Sequence, residues 1–147
     1  MCHPNKKSFF LKKIINFAAK LKKMLPKSIT TILLLICSNT FMSFAWYGHL
    51  KLSQIPKFSN LSLICAILIS WGIAFIEYCF LIPANRIGFE GNGGPFSLLQ
   101  LKVIQEVITL MVFSIFNILV FSGSTLQWNH ICAYILLIAA AYLMFLK

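Results

Sequence analysis

Four apolar stretches, near 29–48, 61–82, 98–121 and 128–146, take up most of this chain and leave only short connections between them. Each has about the 20 residues that a helix needs to cross a hydrocarbon core. In lipid every backbone N–H and C=O must find a partner within protein, and these runs are too long and too continuously apolar for barrel strands. The expected fold is therefore an all-α integral membrane protein. It has four transmembrane helices in one domain over 28–147, preceded by a basic amphipathic or flexible extension over 1–27. A composition of 59% hydrophobic and 11% charged residues lies outside the soluble globular range and agrees with this class.

The charge is concentrated at one end. Of 13 Lys and Arg residues, eight precede the first apolar stretch: Lys6, Lys7, Lys12, Lys13, Lys20, Lys22, Lys23 and Lys27. Phe10, Ile14, Phe17, Leu21 and Leu25 recur among them at helical spacing, which suits a helix lying on an anionic membrane surface better than a nucleic-acid-binding arm. Two other readings stand beside it: a solvated tail that sets topology, and an extension upstream of an internal start at Met24. The positive-inside rule places the arm, Arg86 and Lys147 together against Lys51 and Lys57. Both termini are then cytoplasmic, in a bacterial inner membrane. Trp46, Tyr47 and Trp128 fall at the opposite interface, whereas Trp71 falls mid-span.

Only three carboxylates occur, and Glu77 and Glu106 both lie inside apolar stretches, where an acid is costly and marks a candidate functional site. On the third stretch Lys102, Glu106, Thr109 and Asn117 share a helical sector with Gln105 beside it, and Lys102 and Glu106 are spaced to pair. Proline at 83 is expected to end the second helix. That end puts Glu77 and Glu106 both about 8–12 Å inside the cytoplasmic edge, with Arg86 folding back towards Glu77. The four charges then form a near-neutral cluster, read either as structural ion pairing or as a proton or substrate site. In the first stretch Asn39, Ser43 and Trp46 share a face suited to helix contact or to solute contact. Ala139, Ala140 and Ala141 suit close packing or dimerisation in the fourth.

Other patterns carry little chemistry. Gly88, Gly91, Gly93, Gly94 and Pro95 read as a flexible turn without the Lys-Ser/Thr of a phosphate cradle. Five cysteines show no Cys-x-x-Cys spacing, and neither His49 nor His130 has a partner that completes a metal set. No enzyme activity, cofactor or metal is expected.

Several blocks, taken in order, resemble the short four-helix branch of the drug/metabolite transporter superfamily over residues 26–147. They are Cys37-Ser38-Asn39, Phe44-Ala45-Trp46-Tyr47-Gly48-His49, Ser70-Trp71-Gly72 with Glu77-Tyr78, Pro83-Ala84-Asn85-Arg86-Ile87-Gly88, Phe96-Ser97, and the run from Gln100 to Thr109. The resemblance implies a transporter-like fold without fixing a substrate. The small multidrug exporters of that superfamily keep their essential glutamate in the first helix, where this chain has no acid. The expectation is a small-solute transporter, proton-coupled, working as a homodimer by analogy with inverted repeats. Its partners are the lipid bilayer, a second copy and an unknown small solute, with no nucleic acid. Glu106 is the first choice for proton or substrate coupling and Glu77 the second, supported by Arg86, Lys102, Gln105, Asn39 and Trp46. The alternative is a non-transporting membrane scaffold or assembly subunit.

Overall fold

The computed structural model describes residues 12–17, 19, 26–58, 62–121 and 127–146. Four main helices follow one another: α1 (Lys27–Ser53), α2 (Leu63–Gly88), α3 (Leu98–Val120) and α4 (Trp128–Phe145). In the basic arm residues 12–17 are helical and Ile14 is buried, while Ile15 and Phe17 are exposed. Phe10, Leu21, Leu25 and Met24 lie outside the described residues.

Three of the helices, α1, α2 and α3, are long and apolar enough to cross a membrane. The fourth expected span falls short of that measure, because its apolar part, Trp128–Leu143, is a shorter helix. Along it Tyr134, Leu137 and Ala141 are the half-buried positions, a narrow seam at helical spacing. That seam faces α3, with Ser114 and Tyr134 joined by their hydroxyl groups, and at the end of α4 Phe145 stands edge-on to Phe96 just before α3. Ala139 and Ala140 point away from it.

α1 is the hub. α2 and α3 both pack chiefly on it and meet each other at Gly88, and its buried positions run over a broad arc from Thr30 and Thr31 through Leu34, Leu35, Ser38 and Asn39 to Ser43 and Ala45. Leu34, Leu35, Ala84 and Ile108 form the core between the three helices. Phe41 stacks on Phe80 of α2 and Phe44 meets Phe116 of α3 edge-on, so aromatic contacts extend the packing on both sides. Polar side chains are tolerated on this arc because most bond back to their own helix. The Thr30, Thr31 and Ser43 hydroxyls and the Asn39 amide each donate to the carbonyl four residues earlier.

The proline at 83 does not end α2, which runs on to Gly88. Pro83 supplies no N–H to the Cys79 carbonyl, yet its fixed φ fits a helix. The next turn is held by the burial of Ala84 and Gly88 against α1 and α3. Gly88 is where the three helices meet: a Cβ there would stand 2.7 Å from Thr31 and 2.8 Å from Leu101.

The glycine-rich connection is folded rather than loose. Phe89 and Phe96 form an isolated bridge, with Glu90 N–H donating to the Phe96 carbonyl and Phe96 N–H to the Gly88 carbonyl. Gly93 takes a left-handed conformation at φ 73°, and Lys27 donates to its carbonyl, pinning the start of α1 to this turn. A reciprocal Ser97–Gln100 capping box then opens α3. The start of α1, the α2–α3 turn and the end of α4 therefore gather at one end of the bundle.

Candidate functional site

Adjacent residues on α1 point to different neighbours. Ser38 donates from Oγ to Glu77 Oε1 of α2 at 2.6 Å, while Asn39 Oδ1 accepts from the Thr109 hydroxyl of α3 at 2.5 Å. Thr109 lies 2.7 Å from the Gln105 carbonyl as well and shares its proton between the two acceptors. One turn of α1 thus ties three helices through polar contacts.

These contacts form a layer. Ser38 and Thr109 stand as far from the starts of α1 and α3 as Glu77 stands from the end of α2, about 16 Å at 1.5 Å per residue. That is close to half the thickness of a hydrocarbon core of about 30 Å. Glu77 is therefore deeper than the sequence places it, because α2 continues past Pro83.

Glu77 is 1% exposed and is enclosed by α1. Oε1 takes the Ser38 hydrogen bond, and Oε2 has no hydrogen-bond partner, alone in this respect among the buried side-chain atoms of the described residues. A carboxyl group can accept up to about four hydrogen bonds when ionised and donate one when protonated, so this one has capacity to spare.

Glu106 sits in a different environment. Its side chain is 49% exposed and pairs with Lys102, 68% exposed, at 2.5 Å along one face of α3. The local pairing expected from spacing is present, but the polar sector of the third helix is divided. Thr109 turns inward to α1, whereas Lys102 and Glu106 remain on the outside.

The expected cluster of Glu77, Glu106, Arg86 and Lys102 does not assemble. Among the described residues Arg86 pairs with neither acid, because the extra turn of α2 beyond Pro83 carries it away from Glu77. It instead lines a cleft of about 560 Å³ between the end of α2 and the start of α3, with Asn85, Lys102 and Gln105 on the same walls. Asn39 belongs to the interior layer. Trp46 does not, being 55% exposed towards the other end of α1, edge-on to Tyr47. Trp71 is 70% exposed on α2 and faces outward.

Ser38 is the contact that sequence reasoning passed over, apart from quoting it in a resemblance block. Its signal was its register: in two antiparallel helices joined at one end, residues equally far from that end meet. α1 and α2 are joined through 54–62, and Ser38 lies 15 residues before Ser53 while Glu77 lies 14 after Leu63, so reading it required the true end of α1. Among the described residues no group of three or more His, Cys, Asp and Glu could hold a metal ion.

Neither a curated protein nor a solved structure matches the chain. A family model described as "Putative member of DMT superfamily (DUF486)" matches residues 31–145, which include most of α1, the whole of α2, α3 and α4, and the interior layer. That coverage accords with three apolar helices of membrane-crossing length and with a multi-pass integral membrane protein. The chain therefore belongs to the DMT_6 family.

Proposed function

We propose that this protein carries a small solute across the membrane in exchange for protons, with Glu77 as the coupling carboxyl group. The supporting observation is the enclosure of Glu77 at mid-helix depth with Oε2 unpartnered. A carboxylate kept only for packing is expected to have its acceptors satisfied or to be paired with a base. An acid with a spare oxygen in a polar layer can hold a proton in one state and a cationic or hydrogen-bonding solute in another, which is the minimum that exchange needs. Ser38 orients the carboxyl, and Asn39 and Thr109 extend the layer across to α3.

In this reading α4 completes a four-span bundle with both termini in the cytoplasm of a bacterial cell. A second copy supplies the other half of the pathway, since four helices with a packed α1 among them enclose little space for a solute. Glu106, held by Lys102 beside the cleft, is better suited to relaying protons from the surface than to holding them at the centre.

The scaffold reading draws on the same hydrogen bonds, because Ser38–Glu77 and Asn39–Thr109 also fasten three helices together. Purified protein in liposomes separates the two. The transporter reading expects uptake of at least one solute from a broad panel to follow an imposed pH gradient and to reverse with it. Flux equal to that of empty liposomes across the panel favours the scaffold.

A further inference from the structure

We propose that the cleft between the end of α2 and the start of α3 binds a phosphate group at the membrane edge. Its walls carry Arg86, Lys102, Asn85, Asn92 and Gln105, with Leu98 on the apolar side, around a volume of about 560 Å³. That size is typical of small-ligand sites. Arg86 supplies a planar fork of N–H donors that fits phosphate oxygens, and Lys102 keeps donors beyond the one given to Glu106.

The charges point to a partner from outside the chain. The sequence holds three Asp and Glu residues in all. Glu77 is enclosed against Ser38, Glu106 is paired with Lys102, and Glu90 does not line the cleft. Among the described residues the exposed Arg86 guanidinium forms no salt bridge with any of the three. Arg86 lies about 3 Å from the end of α2 and Lys102 about 6 Å into α3, near enough to the membrane edge for both long side chains to reach the headgroups. Leu98, 71% exposed beside them, offers a surface for an apolar portion of the ligand.

The ligand is thus a phosphate ester, supplied either by an anionic lipid headgroup or by a soluble phosphorylated compound. The inference does not depend on the role of Glu77.

Native mass spectrometry of the full chain in a phosphate-free maltoside detergent tests it with three probes: phosphatidylglycerol, diacylglycerol with the same acyl chains, and glycerol 1-phosphate. Phosphatidylglycerol is expected to be retained over diacylglycerol if the lipid is the source, and glycerol 1-phosphate to bind if a soluble ester is. In either case Arg86→Gln should weaken the favoured probe by about tenfold. Lys102→Gln, on the second wall, should weaken it too, while Lys57→Gln on the remote connection should not. Equal retention of phosphatidylglycerol and diacylglycerol together with no glycerol 1-phosphate binding would overturn the proposal. So would phosphate binding that neither Arg86→Gln nor Lys102→Gln reduces.

Discussion

Glu77 and Glu106 are alike in sequence, each an acid within an apolar helix, and the fold gives them opposite surroundings. Glu77 is enclosed between α1 and α2 with a hydroxyl as its one partner, and Glu106 lies on the outer side of α3 with an ammonium beside it. The difference comes from the helix each one faces. α1 packs on both α2 and α3, so a polar residue turned towards it enters the interior, whereas one turned away is left to lipid, water or a second chain. Hydropathy registers both acids as equal interruptions; only the packing direction separates them.

The largest effect is expected where the interior itself is forced open. Gly88→Val puts branched carbon into Thr31 and Leu101, and overpacking of this kind costs about 1–3 kcal/mol or more. Gly72→Val on the outer face of the same helix meets nothing within 4 Å and should be close to neutral. Thermal unfolding of both variants in one detergent is the check. Equal loss at the two positions would break the distinction between the inner and outer sides of α2.

A smaller effect is expected from removing the partner of the enclosed acid. Ser38→Ala leaves both Glu77 oxygens without a hydrogen bond and should lower stability by about 1–3 kcal/mol. Thr40→Ala, two residues on, deletes a hydroxyl that bonds only to its own helix and should cost well under about 1 kcal/mol. Chemical denaturation of the two variants, compared with the unmodified chain, gives the values. A Thr40→Ala loss as large as that of Ser38→Ala would mean that the Glu77 contact contributes nothing specific.

Smaller still is the effect of breaking the outer pair. Lys102→Gln should cost less than about 1 kcal/mol, because both groups are largely exposed and an i,i+4 pair is weak once screened. Its remaining contribution should shrink as salt is raised. Smallest is Arg86→Ala in detergent free of phosphate, expected within about 0.5 kcal/mol of Lys57→Ala, since neither base pairs with a glutamate. A marked loss for Arg86→Ala under those conditions would restore a charge cluster around Glu77.

The sequence revealed what depends on local pattern. Apolar length located the starts of α1, α2 and α3 and the end of α3 within two residues, but ended α1 and α2 five and six residues early; the spacing of Lys102 and Glu106 gave their pair, because helix geometry alone brings them together. It misjudged what depends on register between helices. Pro83 looked like a terminus, since nothing in the local sequence says that Ala84 and Gly88 are held by α1 and α3. That error moved Arg86 towards Glu77, and ending α1 near 48 instead of at Ser53 hid Ser38, which is level with Glu77 only when register is counted from the true connection. The same limit applies to Thr109, which periodicity grouped with Lys102 and Glu106 but which turns inward because Asn39 accepts its proton.

The most direct test compares the two acids in one assay. Glu77→Gln and Glu106→Gln each keep size and remove titration. Both are reconstituted into liposomes with a pH-sensitive dye inside, after matching for folded content, and challenged with the solute that the unmodified protein carries. The account predicts that Glu77→Gln abolishes solute-driven proton movement while Glu106→Gln retains a substantial part of it. Full coupling in Glu77→Gln together with its loss in Glu106→Gln would contradict the account and make the outer acid the coupling group.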